Sequence, residues 1–350
     1  MTDRETERTA FLAGTEWADA TRLPMTADVS TRSYTRLVGG PRPALLMDAP
    51  PAAEGAACPP DATPSKRAAL GYNAEARLAG SSLDAFAGLS AWLRDRGIVA
   101  PAVYAMEAET GLAVIEDFGD RLLATQVRDP AAERAHYARA AEVLHQLAEA
   151  GVEAGPIGDG LWYLQEYDDV AMMAEVRLLT EWYVPHTTGS LTSDAAIDAH
   201  EAAWREVLSG LGPADTLVLR DYHAENILVL SEEVGVLDFQ DALVGRSAYD
   251  FASLIEDARR DVGGVTAAAL YEDAIARRGT SFADDYAILA AQRNAKILGI
   301  FARLIERDGK PRYAGFLPRV RALFAADIAR PQLAPVRAWA ERYLPAVTDG

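Results

Sequence analysis

The sequence predicts an α+β chain of two lobes, a small sheet-bearing N-terminal one and a larger, mostly helical C-terminal one. Three observations predict it. Short apolar runs at Tyr34–Val38, Ala44–Asp48, Pro101–Met106 and Leu112–Glu116 read as strands with one helix among them. From Ala131 onward, apolar residues recur at helical spacing over long segments. Set into that helical half are three more short runs, Leu217–Leu219, Ile227–Leu230 and Val234–Leu237, separated by polar loops.

Each element has its own signal. Thr2 to Asp19 reads as a polar opening helix anchored by Phe11, Leu12 and Trp17. Asp28–Arg32 is a polar turn, and Gly39–Gly40 turns one early strand into the next. Ala49 to Ser65 holds five prolines and many alanines, with little to bury, so Pro50 to about Gly80 is expected to be a flexible insertion. Ser82 caps a helix with Leu83, Phe86, Leu89 and Leu93 on one stripe, ending at Gly97. In the second half, helices are expected at Ala131–Gly151, Leu161–Pro185 and Ala195–Leu208. After the late strands come five more, near Tyr249–Arg259, Val265–Arg278, Asp284–Arg307, Tyr313–Ala329 and Pro335–Leu344. The expected division is residues 1–117 and 118–350.

Composition narrows the partners. A net charge of −18 disfavours nucleic acid and anionic membranes, both polyanions. The single cysteine, Cys58, permits no internal disulfide and fits a reducing compartment. The polar N-terminus lacks a signal-peptide apolar core, and no apolar run approaches the roughly 18 residues that cross a bilayer. A cytoplasmic protein acting on small molecules is expected.

The stretch from Leu217 to Asp250 carries the chemistry. Three buried strands would bring a polar loop with Asp221, His223 and Asn226 beside the end of the third strand at Asp238. Asp221 and Asn226 fit the D-x-x-x-x-N of a kinase catalytic loop, and Asp238 stands where a metal-binding Asp follows it. A carboxylate that accepts a hydroxyl proton, with an amide oxygen and a second carboxylate for Mg²⁺, suits phosphoryl transfer. The competing reading is a hairpin with solvated turn carboxylates.

These motifs, with MDAPP (Met47–Pro51), EDFGD (Glu116–Asp120), GVLDFQDA (Gly235–Ala242) and QRNAKILGIFARLIERDGK (Gln292–Lys310), give the chain its resemblance. It resembles the aminoglycoside phosphotransferase and choline kinase superfamily. More narrowly, it is similar to the cell-wall-recycling kinases that phosphorylate N-acetylmuramate and N-acetylglucosamine at the anomeric hydroxyl. The resemblance implies a bilobal protein-kinase-like fold with a nucleotide-binding N-terminal lobe, and ATP and Mg²⁺ as cofactors. It implies Asp221 as base, Asn226 and Asp238 as metal ligands, and Glu116, Asp117 and Phe118 at a hinge facing adenine. It places Glu175 on a helix beside the acceptor, with His223 either orienting the loop or touching substrate. Arg293 and Asn294, polar groups in an apolar helix, meet either a substrate anion or a structural acid. Where such kinases carry a phosphate-pairing lysine, this chain has Met47, and no glycine-rich loop precedes it. Arg32 or Arg36 is expected to stand in for the lysine. An aminoglycoside or choline-type kinase, or a non-catalytic nucleotide-binding protein, are the alternatives.

Overall fold

Strand alternation puts Leu37, Ala44 and Leu46 on one face of the N-terminal sheet and Tyr34, Arg36 and Met47 on the other. The computed structural model describes residues 3–25, 32–51, 55 and 57–348. The polar turn expected at Asp28–Arg32 lies outside the described residues except for Arg32. The chain divides into two compact units. The first is Met1–Gln126 with Glu153–Gln165 and Glu225–Ala242; the second is Val127–Val152, Glu166–Ala224 and Leu243–Gly350. This division is interleaved, the chain returning twice to the first unit.

In the first unit, β1 (Thr21–Pro24), β2 (Ser33–Val38), β3 (Ala44–Asp48), β4 (Val103–Glu107) and β5 (Leu112–Glu116) form one antiparallel sheet. Their order is β1-β2-β3-β5-β4. Helix α1 (Asp3–Ala13) and the segment after it lay Leu12 and Trp17 on Leu37, Ala44, Leu46, Leu112 and Val114. Burying such a face is the main stabilising term for a small sheet. Asp48 ends β3 on the same face, where Arg4 and Arg8 of α1 grip its carboxylate. β1 gives no sequence signal because it is an exposed edge strand with no apolar alternation.

The Pro/Ala-rich segment differs from expectation. Its described residues include α2 (Pro64–Leu70), capped by Thr63, and α3 (Tyr72–Glu75). Arg67 is 1% exposed and donates to the carbonyls of Ala74 and Glu75. Gln165 Nε2 donates to the Cys58 carbonyl at 2.8 Å, and Ala74, Ala76 and Ala79 are buried. Small side chains and a buried guanidinium replace the large apolar anchors whose absence reads as mobility. Helices α4 (Leu83–Arg94, capped by Ser82 as expected) and α5 (Leu123–Gln126) complete the unit's helices. β6 (Gly155–Ile157) and β7 (Trp162–Leu164) form a hairpin where a helix from Leu161 is expected.

Four short strands follow: β8 (Thr216–Val218), β9 (Ile227–Val229), β10 (Val234–Val236) and β11 (Leu243–Gly245). β9 pairs with β10 in the first unit; β8 pairs with β11 in the second. The first of the three runs thus pairs apart from the other two, with β11, a partner that sequence reading leaves out.

The second unit holds α6 (Pro130–Ala150), α7 (Asp169–Leu178), α8 (Val184–Thr188), α9 (Asp194–Leu208), α10 (Ala248–Ile255) and α11 (Gly264–Arg278). It continues with α12 (Ser281–Glu306), α13 (Leu317–Ile328), α14 (Ala334–Tyr343) and α15 (Pro345–Thr348). Asp168 caps α7, which passes through a π-helical turn at Leu179–Tyr183. α12 runs through the middle of this unit and is buried along most of its length. It approaches α7 closely at Gly299, where a Cβ would stand 2.4 Å from Leu178 backbone atoms. No helix among the described residues is long and apolar enough to cross a membrane.

Arg67→Ala tests the packing of the segment that composition reads as mobile. Leaving two buried carbonyls unpaired should cost roughly 2 kcal/mol in urea unfolding. A mobile insertion would show no change.

Candidate active site

In the second unit, the chain leaves β8 and enters its polar loop through Arg220, whose φ is +71°. A side-chain-bearing residue in that region is strained, so something must hold it there. Asp250, in the first turn of α10, accepts from Leu219 N at 2.6 Å and Arg220 N at 2.9 Å. Asp250 thus clamps the backbone at the start of the loop. Burial pushes its carboxyl up to about 7 although both N–H groups pull it down.

The Arg220 guanidinium, 1% exposed, pairs with Glu175. Lys296 Nζ meets the same Glu175 oxygen at 3.0 Å and the Tyr249 hydroxyl at 3.2 Å. Tyr167 and Gln292 donate to the other oxygen, Gln292 at 3.0 Å. Burial would raise Glu175, but Lys296 and Arg220 overcome it and bring the carboxyl down to about 2. Glu175 is 0% exposed with both oxygens engaged, so its expected contact with an acceptor is corrected to an internal ion pair that anchors Arg220.

Asp221 itself is half-buried. Burial would raise its carboxyl; Lys296, His223, Arg220 and Arg293 outweigh burial and hold it below the usual carboxylate range. His223 is itself pushed down to about 4, by burial first and then by Arg259, so it is neutral at pH 7. The permanent charges of Lys296, Arg220 and Arg293 therefore keep Asp221 ionised. His223 N donates to Asp221 O at 3.1 Å, and Tyr222 OH fixes the loop through Ala140 O at 2.9 Å. His223 Nε2 lies 3.0 Å from Arg259 Nη1.

Arg293 and Asn294 meet structural partners. Arg293 Nη1 donates to Glu256 O at 3.3 Å, and Asn294 Nδ2 to Glu256 Oε2 and Asp327 Oδ2, each at 2.8 Å. Both are buried, which settles the two readings of Asn294 in favour of an internal acid and leaves Arg293 acting through its field.

In the first unit, Asn226 and Asp238 flank the β9–β10 hairpin. Leu237 N donates to Asn226 O at 2.9 Å, and Asn226 Nδ2 lies 3.4 Å from Asp238 Oδ2. Asp238 also has positive φ, +56°. Its other oxygen accepts from Gln240 Nε2 at 2.9 Å, and Arg32 Nη1 is 3.6 Å away. Arg32 is 7% exposed and donates through Nη2 to Gly80 O at 2.7 Å. Tyr34, on the same strand face, is pushed up to about 12 by burial, with Arg32 and Asp238 as its charged neighbours. Between them, Asn226 and Asp238 carry an amide oxygen and a carboxylate, the donor types that Mg²⁺, a hard cation, takes. Among the described residues no group of three or more His, Cys, Asp or Glu could hold a metal.

Arg36 is corrected. It pairs with Asp117 at 2.6 Å and Asp120 at 2.7 Å, which consumes the guanidinium expected to stand in for the lysine. Those same contacts tie the segment after β5. Glu116 accepts from Ala102 N at 3.1 Å and Arg94 at 3.2 Å, Asp117 N reaches Pro43 O at 3.4 Å, and the Phe118 ring packs over Gly235. Arg220, Tyr34 and Gln240 are missed by sequence reasoning. Arg220 had a signal, a charged residue directly after an apolar run and so in need of a buried partner.

The chain matches the phosphotransferase enzyme family over residues 21–291, and it belongs to that family. A protein of Caulobacter vibrioides is 41% identical over 99% of this chain and 98% of its own, and is named N-acetylmuramate/N-acetylglucosamine kinase. A Pseudomonas aeruginosa protein of the same name is 28% identical over 89% of this chain and 85% of its own. Two solved structures share the fold. A choline/ethanolamine kinase family protein from Mesorhizobium loti has a TM-score of 0.57 at 15% identity, covering 99% of this chain and all of its own. A thermostable aminoglycoside phosphotransferase has 0.58 at 13% identity, covering 92% of this chain and 100% of its own.

Lys296→Met removes one of the charges that keep Asp221 ionised. The Asp221 pKa should rise, so the acid limb of the kcat/KM profile should move to higher pH, with Lys296→Arg restoring it. A uniform loss at every pH would assign Lys296 a structural role only.

Proposed function

We propose that the protein is an ATP-dependent kinase that phosphorylates the anomeric hydroxyl of N-acetylated amino sugars, N-acetylmuramate and N-acetylglucosamine, in cell-wall recycling. The observation that carries this reading is the 41% identity to a kinase of that name along almost the whole of both chains.

The residues then have definite work. Asp221, ionised by its surrounding cations, accepts the proton of the anomeric hydroxyl. The new bond joins that oxygen to the γ-phosphorus, the bond between the γ-phosphorus and the bridging oxygen breaks, and ADP leaves. Asn226 and Asp238 would hold Mg²⁺, whose charge would offset that of the phosphates. Arg32, already beside Asp238, is the guanidinium that grips phosphate where Met47 cannot. The backbone around Asp117 and Phe118 receives the adenine edge, braced by Arg36. His223 holds the loop.

Asp221→Asn keeps the loop's shape and removes the proton acceptor. In a coupled ADP-release assay with either sugar, kcat should fall roughly 10²–10⁴-fold with the KM for ATP nearly unchanged. Turnover within about threefold of the parent would remove Asp221 from the role.

Arg32→Met should raise the KM for ATP or lower kcat by about tenfold, as expected for losing one charged phosphate contact. Parental values in both would leave Mg²⁺ alone to offset the phosphate charge.

A further inference from the structure

One face of the N-terminal sheet carries Tyr34 and Arg36 from β2 and Leu45 and Met47 from β3. Tyr34 stands directly across from Met47, and Met47 across from Ala113 of β5. Directly opposed residues on neighbouring strands lie about 5 Å apart at Cβ. This row is apolar except for the Tyr34 hydroxyl. Arg36, two residues along β2 on the same face, is committed to Asp117 and Asp120. Tyr34 therefore brings a polar group beside the methionine that stands where such kinases carry a lysine.

Arg32, Tyr34 and Asp238 all belong to the first unit. Arg32 Nη1 lies 3.6 Å from Asp238 Oδ1, and these two side chains are the charges that act on the Tyr34 hydroxyl. The place where they meet is accessible, since the Asp238 side chain is 48% exposed and Tyr34 is half-buried. Among the described residues no hydrogen bond ends on the Tyr34 hydroxyl. A phenylalanine would fill the same space. A mostly covered phenol without a protein partner gives up solvation for nothing, at a cost of about 1–3 kcal/mol. Such a group calls for an explanation, and a ligand that accepts its hydrogen bond supplies one.

The neighbours define that ligand. At pH 7 a phenol is neutral and donates one O–H. The acceptor has to suit a guanidinium and also a carboxylate that would hold Mg²⁺. A phosphate group does, because it is an anion with several oxygens that can serve a guanidinium, a metal and a hydroxyl at once.

We propose that Tyr34 is a phosphate-binding residue, its hydroxyl donating to a phosphate oxygen of the bound nucleotide beside the position that Met47 occupies. The proposal rests on the kinase reading above and adds a neutral donor to the charge of Arg32. A hydrogen bond to an ionised oxygen is stronger than one between neutral groups. The hydroxyl brings no charge of its own, so it positions the phosphates and leaves their charge to Arg32 and Mg²⁺.

The test is titration calorimetry of the parent and Tyr34→Phe with ADP in Mg²⁺, ADP in EDTA, and adenosine, beside melting temperatures of the unliganded proteins. Tyr34→Phe should weaken ADP about tenfold with and without Mg²⁺, the loss of one hydrogen bond to a charged oxygen. Its affinity for adenosine should change by less than about twofold. Its melting temperature should not fall, because the hydroxyl holds no protein group. Unchanged ADP affinity overturns the proposal, and so do equal losses for ADP and adenosine, which would mark a structural role. A loss seen only with Mg²⁺ overturns it as well, by assigning the hydroxyl to the metal. A parent that binds neither ADP nor adenosine overturns the kinase reading and the proposal together. If Tyr34→Phe does not fold, Tyr34→Leu, which also removes the hydroxyl, decides by the same ratio of ADP to adenosine affinity.

Discussion

Arg220 occupies backbone space that a side-chain-bearing residue avoids, and two buried carboxylates hold it there. Asp250 takes its N–H and that of Leu219, while Glu175 takes its guanidinium. A left-handed residue of this kind costs on the order of 1–3 kcal/mol and persists only where its surroundings over-determine it. The next residue is Asp221. The direction in which Asp221 leaves β8 is thus fixed by partners from α7 and α10, not by the loop itself. Lys296 on α12 completes the arrangement by sharing Glu175. One buried ion pair connects three helices to one backbone angle.

The same ions do electrostatic work. The protein as a whole is strongly acidic, yet Asp221 sits among Lys296, Arg220 and Arg293 and is held below the ordinary carboxylate range. The proposed role as base requires an unprotonated carboxylate, and nearby cations in a low-dielectric interior favour that form. Asp250, clamping the adjacent backbone, shows the opposite outcome. Burial raises it to about 7 because its partners are backbone N–H groups and its charged neighbour is Asp221. Two carboxylates one helix turn from each other's chemistry thus differ because their surroundings do.

What the sequence reveals and what it hides divide along contact distance. The closeness of Asn226 to Asp238 is legible because one hairpin, β9–β10, joins them. The Ser82 cap and the strand pair Tyr34–Val38 and Ala44–Asp48 are local too, and they appear as read. The pairing of Arg36 with Asp117 and Asp120 spans about eighty residues, and Glu175 with Arg220 spans forty-five. Neither pattern leaves a mark on periodicity. The segment around Arg67 is misread for another reason: its alanines and one arginine bury well but carry no apolar signal. β1 and β11 are short, so partners elsewhere in the chain define them.

The central claim is that Asp221 directs phosphoryl transfer to the hydroxyl on the anomeric carbon. Proton-coupled phosphorus NMR of the product formed from ATP and N-acetylglucosamine tests it most directly. The account predicts a phosphate signal coupled to the anomeric proton, with ADP formed in equal amount. A phosphate coupled to the two protons of the primary carbon, or inorganic phosphate alone, would contradict it.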